Sequence, residues 1–353
     1  MFIILAILLF GLLIAVHELG HFLTAKACGV RVLEFAIGMG PVIVKRQRGE
    51  TLYSWRCLPI GGFCSMEGED ESSSDPRAFS AQPGWKKFLI LVAGAAMNFL
   101  LGLLIVVMLY SSAGSFTTAR IDSFMDGCPY QGEQALMEGD RIVRVDGHRI
   151  YYMSNFANYI TQGKADGRHD IVLIRDGQRV ELKDFYMVPV PLQDETGATV
   201  QKYGLLFARE EATVGSVLRY SVYTCVDFTR MVWDGLRDLI TGAVGVSELS
   251  GVVGIVSLIN DVGQQAEKVQ TALYNIAYLT AFIAVNLAVM NLLPIPALDG
   301  GRVLFLVIDF LVLAFTRRRL DPKYEGYVNT GGFVLLMALM VFVMYNDVMR
   351  LIR

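Results

Sequence analysis

Phe2-Ile-Ile-Leu-Ala-Ile-Leu-Leu-Phe10-Gly-Leu-Leu-Ile-Ala-Val16-His17-Glu18-Leu19-Gly20-His21 decides how the rest of the chain is read. The stretch Phe2 to Ala25 exceeds the roughly 20 mostly apolar residues that cross a bilayer, and its uncharged run Phe2 to Val16 leads without a break into two histidines and a glutamate. It lacks the positive leader and small-residue cleavage site of a signal peptide, so it is expected to be a retained span. On a helix, positions four apart share a face. Both imidazoles are therefore expected to converge on one Zn2+, with Glu18 beside them in reach of a metal-bound water whose proton it takes. A carboxylate held inside a span costs about 2.5 to 3.5 kcal/mol unless it meets a partner such as a cation, which makes an idle HExxH here far less tenable than in a soluble protein.

The remaining composition agrees with a membrane solvent. The 353 residues are 54% hydrophobic and 18% charged, with a mean hydropathy of +0.45. A net charge of -3 offers nucleic acid no basic surface, and that partner is excluded. The cysteines Cys28, Cys57, Cys64, Cys128 and Cys225 are odd in number, scattered and without a CxxC pair, so they read as isolated thiols.

Four stretches have the length and apolarity of spans: Phe2 to Ala25, Phe88 to Tyr110, Ala272 to Leu293 and Val328 to Asn346. Val303 to Thr316 is short and contains Asp309, which suits a half-helix or interfacial segment. Basic residues cluster after the first span (Lys26, Arg31, Lys45, Arg46, Arg48) and before the fourth (Arg317, Arg318, Arg319, Lys323). By the positive-inside rule both loops are expected to be cytoplasmic, which puts the long region between the second and third spans outside.

Between the first two spans, β-formers alternate with Gly and Pro, which predicts a small sheet. The acidic, Ser-rich run Glu67 to Asp75 reads as a solvated loop. In the outer region, Arg141 to Val145 and Asp170 to Arg175 alternate polar and apolar residues, and each is followed by an Asp-Gly pair, the signal for a tight hairpin. Histidines His148 and His169 there lack ligand spacing and read as surface residues. From Thr213 to Ile240 apolar residues recur at helical spacing, which predicts an amphipathic helix at the membrane surface.

Two imidazoles leave a catalytic zinc short of one protein ligand. Asn291-Leu-Leu-Pro294-Ile-Pro296-Ala-Leu-Asp299-Gly300-Gly301 ends an apolar span on two prolines and two glycines. Irregular backbone at that depth is tolerated where it lines a wet cavity, so Asp299 is the expected third ligand, with Glu34 and Asn98 as alternatives. A structural zinc in a membrane scaffold would show four closed ligands, and a zinc transporter would show carboxylates or histidines spread along a path. The single three-ligand cluster favours neither.

Taken together, His17-Glu18-Leu19-Gly20-His21, Gly94-Ala-Ala-Met-Asn98-Phe99, the Asn291 to Gly301 segment, Ile37-Gly-Met-Gly-Pro41 and Leu58-Pro-Ile-Gly-Gly-Phe63 resemble the site-2 protease family, in its bacterial PDZ-containing branch, over nearly the whole chain. The resemblance implies a polytopic α-helical membrane protein with about four transmembrane helices, a membrane-reentrant β-sheet near the site and one inserted PDZ-like α+β domain. It implies zinc on His17, His21 and Asp299, Glu18 as general base, and Asn291 and Asn98 as substrate-binding residues. The substrates implied are single-span membrane proteins cut within the bilayer of a bacterial plasma (inner) membrane, with the PDZ-like domain extracytoplasmic and the active site near the cytoplasmic side. The expected organisation is residues 1–113 for the first two spans with the zinc motif and β segment, 114–211 for the PDZ-like domain, 212–268 for the surface helix and linker, and 269–353 for the last two spans.

Overall fold

A computed structural model describes residues 2–69, 73–162, 166–193, 198–245, 251–266, 268–317 and 322–352. In chain order the elements are α1 (Phe2–Ala27), β1 (Val32–Arg48), β2 (Thr51–Met66) and α2 (Gly84–Tyr110). They continue as β3 (Ser115–Phe124), β4 (Arg141–Val145), β5 (His148–Arg149), α3 (Met153–Gln162), β6 (Arg168–Arg175), β7 (Gln178–Tyr186), β8 (Val190–Gln193), β9 (Thr199–Lys202) and β10 (Leu205–Glu211). The last are α4 (Val214–Thr241), α5 (Val252–Gln265), α6 (Val269–Asn291), α7 (Asp299–Thr316) and α8 (Pro322–Ile352). The chain forms two compact units, one of residues 1–109 with 224–353 and one of residues 110–223.

Four helices of the first unit are long and apolar enough to cross a membrane: α1, α2, α6 and, in α8, Gly326–Arg350. Together with their lipid-ready exposed side chains (Ile4, Leu8, Leu100, Leu104, Val334, Leu335) they describe a polytopic membrane protein. Each span begins or ends outside the apolar run that betrays it. Lys86 and Lys87 lie inside α2 rather than before it, because backbone hydrogen bonding continues where hydropathy stops.

Small residues set the contacts between spans. A Cβ on Gly20 of α1 would sit 2.4 Å from the Ala93 carbonyl oxygen of α2, and one on Gly102 of α2 would sit 2.8 Å from Val285 of α6. Backbones approach that closely only at glycine, the usual device where lipid supplies no hydrophobic drive between helices. Ala6 and Leu13 of α1, Ile259 of α5 and Ile276, Ile283 and Ala284 of α6 form the buried core of this bundle. Asp347 of α8 is buried and accepts the backbone N–H groups of Gly251 and Gly254, both at 2.9 Å. A side chain from another element thus supplies the cap that Gly251 cannot give to α5.

β1 and β2 pair antiparallel in a two-element sheet with several register breaks. Glu34 to Ile37 have partners on both sides, in Leu52 to Trp55 and in Gly62 to Ser65, whereas Val42 to Arg48 pair only with Thr51 to Arg56. The strand around Gly62 to Ser65 is therefore an edge.

The second unit is built on a sheet ordered β10-β3-β4-β6-β7, over a core that includes Ile121, Leu136, Ile142, Val145, Phe156, Ile171 and Leu173. Its two Asp-Gly turns take left-handed backbone at both positions, Asp146 (φ 47°) with Gly147 (φ 82°) and Asp176 (φ 48°) with Gly177 (φ 79°). This is the handedness that a right-twisted hairpin requires. His169 is buried with Nδ1 2.7 Å from an Asp146 carboxylate oxygen, so it is an interior residue and not the surface histidine that spacing suggested.

Candidate metal centre

Helical spacing on α1 brings His17 and His21 to one face of the helix. The rings of His17 and His21 stand edge to face with centroids 4.8 Å apart, and their Nε2 atoms are 3.2 Å apart. Asp299 arrives from the start of α7. Its Oδ2 lies 3.1 Å from Nε2 of His17 and 3.3 Å from Nε2 of His21.

The segment before Asp299 explains how a carboxylate reaches that point. The loop turns back over the first turn of α7, where a Cβ on Gly300 would fall 2.2 Å from the Leu293 carbonyl oxygen and one on Gly301 would fall 2.3 Å from that of Ile295. Ala297 takes positive φ (69°) to close the turn. The glycines after Asp299 are therefore steric requirements of the fold. They also let α7 begin at Asp299, ahead of the apolar run, with an acidic residue in its first turn where the helix dipole favours one.

The donor set fits a divalent cation on its own chemistry. His21 Nδ1 lies 2.8 Å from the Ile90 carbonyl oxygen, which only accepts, so Nδ1 carries the proton and Nε2 of the neutral ring presents a lone pair. Asn291 has its amide 3.4 Å from His17 Nδ1. With its oxygen turned to the ring it accepts Nδ1–H and leaves that Nε2 bare as well. Asp299 Oδ2 is buried with no hydrogen-bond donor. Three acceptor atoms thus converge within 4.8 Å of one another with no proton between them, a repulsive arrangement that a cation resolves. Histidine nitrogens with a carboxylate oxygen suit zinc.

Glu18 lies beside this cluster rather than in it. It takes a hydrogen bond from the backbone of Cys64 on the β2 edge strand, and a Cβ on Gly62 would stand 3.5 Å from its Cγ. Together with His17, His21 and Asp299, Glu18 lines a cavity of about 450 Å³ whose walls also include Phe63, Cys64 and Met66 of β2 and Asn329, Thr330 and Phe333 of α8. The described lining includes neither Asn98 nor Asn291. Asn98 is buried on α2 with its Oδ1 unpartnered, and Asn291 meets the centre through His17. Glu34, the alternative ligand, pairs instead with Arg56 and Ser54.

One wall was not foreseen. Glu69, from the acidic run read as a solvated loop, forms an ion pair with Arg302 one turn beyond Asp299, and both line the cavity. Residues 70–72 of that run lie outside the described part.

Gly94 of α2 fixes how near the second span comes. A Cβ there would lie 2.4 Å from His21 Nε2 and 2.7 Å from His17 Cε1, so any larger residue presses on the two imidazoles themselves. Gly94→Ala is expected to carry an overpacking cost of about 1 to 3 kcal/mol concentrated at the centre. Metal content after dialysis should fall roughly tenfold or more at unchanged helix content. Full metal retention would show that the histidines do not lie against α2 as described.

Comparison with known proteins places these features in a family. Residues 5–339 match the pattern of peptidase family M50. A protein of Clostridium perfringens provisionally named a zinc metalloprotease is 36% identical over 349 residues, covering 99% of this chain and 98% of the relative. A similarly named protein of Clostridium acetobutylicum is 34% identical over 98% of this chain and 97% of its own length. The regulator of sigma-W protease RasP of Bacillus subtilis is 28% identical, with 98% of this chain and 97% of the relative covered.

Proposed function

This chain belongs to peptidase family M50 and is a zinc metalloprotease of the site-2 type. On that premise we propose that it cuts peptide bonds inside the transmembrane segments of single-span bacterial membrane proteins, among them membrane-held regulators of transcription. The observation that carries the reading is the convergence of His17, His21 and Asp299 within 4.8 Å, on elements of a helical membrane protein, with Glu18 alongside. His17, His21 and Asp299 hold the zinc. The metal supplies Lewis acidity that polarises a carbonyl and acidifies water.

Glu18 is the general base of this reading. It takes the proton from the attacking water and returns it to the leaving amine, and it needs no covalent intermediate. Asn291 orients His17, and Asn98 is assigned to the substrate side. A peptide bond in a helix is shielded by its own hydrogen bonds, so the substrate must unwind locally. The β2 edge at Gly62 to Ser65 lies beside Glu18 and offers an extended substrate a strand to pair with. The exposed apolar side chains of the same sheet, Met39, Ile43, Val44, Trp55 and Leu58, support its role as a membrane-reentrant segment.

The remaining assignments follow the same reading. Residues 114–211 form a PDZ-like module that binds or filters substrates outside the cytoplasm, 212–268 the surface helix and linker, and residues 1–113 and 269–353 the catalytic span pairs with the site near the cytoplasmic face. In a chain whose native cysteines have been replaced, an impermeant thiol reagent on intact cells should label a cysteine at Gln178 at least tenfold more than one at Ser74. Equal labelling would overturn the sidedness. The activity itself is tested by co-expressing candidate single-span proteins in a strain lacking this protease and comparing the intact chain with Glu18→Gln.

A further inference from the structure

The second unit carries a concentration of arginine on one face. β3, β4, β6, β7, β10 and the first turns of α4 wall a cavity of about 730 Å³, into which seven arginines project: Arg120, Arg141, Arg144, Arg149, Arg179, Arg209 and Arg219. Three have partners. Arg219 holds Glu210 at 2.5 Å, Arg179 holds Glu181 at 2.7 Å and Arg149 lies over the Tyr151 ring at 5.4 Å. The guanidinium groups of Arg120, Arg141, Arg144 and Arg209 have no carboxylate partner among the described residues.

Strand register sharpens the point. Arg120 of β3 stands opposite Arg141 of β4, and Arg144 of β4 opposite Arg149 of β5. Like charges directly opposed across a ladder are destabilising, and here two such pairs share one face. An anion placed between them removes that repulsion. Guanidinium forks match phosphate oxygens two at a time.

The helix bordering the cavity indicates which anion. Val214, Leu218 and Val222 of α4, all in the second unit, are 81%, 52% and 47% exposed and recur every four residues. Among the described residues, about half or more of each side chain in this apolar stripe stays uncovered. Tyr220 and Tyr223, which line the cavity, project from another flank of the helix, and Arg219 lies between them and the stripe. An interfacial helix buries its apolar face roughly 5 to 10 Å into the bilayer, and a helix is about 10 to 12 Å across with its side chains. With the stripe in the acyl region, the arginine cavity sits at the level of the phosphates.

We propose that this face of residues 110–223 is a binding site for the headgroup of an anionic phospholipid, which seats α4 on the bilayer and fixes the second unit against it. The site is independent of the zinc centre. Its phosphodiester is held by Arg120, Arg141, Arg144 and Arg209, and Tyr151 and Tyr223, stacked at 4.4 Å, form an aromatic wall of the same cavity.

The test uses the full chain in neutral detergent, titrated calorimetrically with short-chain phosphatidylglycerol, short-chain phosphatidylcholine, inorganic phosphate and a Glu-rich peptide. Phosphatidylglycerol should bind at least tenfold more tightly than each of the others. Each arginine near an anionic surface contributes about 1 kcal/mol, or about fivefold, so Arg141→Gln combined with Arg144→Gln should weaken phosphatidylglycerol roughly 25-fold. The same double variant relieves both opposed pairs, so its lipid-free melting temperature should stay level or rise, which separates lost binding from lost folding. Leu218→Ser with Val222→Ser should lower retention of long-chain phosphatidylglycerol without changing the affinity for inorganic phosphate. Equal binding of the two lipids, an unchanged affinity in the arginine variant, or tighter binding of phosphate or peptide than of lipid would each overturn the proposal.

Discussion

Glu18→Gln should leave the chain folded and loaded with zinc while lowering cleavage of a membrane-anchored substrate by about 10² to 10⁴, the usual range for a positioned general base. The separation of the two readouts follows from geometry. Glu18 lies on the cavity wall next to the β2 edge, whereas the converging acceptors come from His17, His21 and Asp299. Glutamine keeps the volume and the Cys64 backbone contact but cannot take a proton. His17→Ala is the contrasting control, since it removes a converging nitrogen and should lose metal and activity together. Cleavage at the wild-type rate by Glu18→Gln, or metal loss as complete as in His17→Ala, would remove Glu18 from the role of base.

What could be read from residues alone divides along a physical line. Features set by neighbours in sequence were legible: two histidines one helical turn apart, and Asp-Gly turns whose left-handed backbone is a local preference. Asp299 was legible because a proline- and glycine-broken span end is itself a local anomaly. Features set by partners far along the chain were not. Glu69 lies in a run whose composition suggests nothing but solvent, and its importance rests on an ion pair with a residue 233 positions away. Gly94 resembles any small residue in a span until the neighbouring helix brings two imidazoles to its Cα. The opposed arginines of the second unit are likewise invisible in sequence, because register alone makes Arg120 the neighbour of Arg141. β1 pairing on both sides of Glu34 to Ile37 needed two returns of the chain that alternation does not reveal.

Asp299→Ala is the sharpest test of the centre, because it asks whether a residue 282 positions from His17 and 278 from His21 binds the same ion. Removing a residue that merely orients a ligand, the role proposed for Asn291 toward His17, costs about 10- to 100-fold in metal affinity. Removing a ligand should cost more than about 100-fold, and proteolysis should vanish with the metal. Gly300 and Gly301 keep the α7 turn when the carboxylate is removed. The expected pattern is therefore a drop in zinc retention at unchanged helix content, which separates loss of a ligand from loss of the fold. Asp309→Ala, farther along the same helix and outside the cavity's described lining, should change zinc retention by less than about threefold, because its carboxylate is not part of the converging cluster. Full zinc and full proteolysis in Asp299→Ala would mean that the third ligand is another residue, and Glu34 would have to leave Arg56 to supply it.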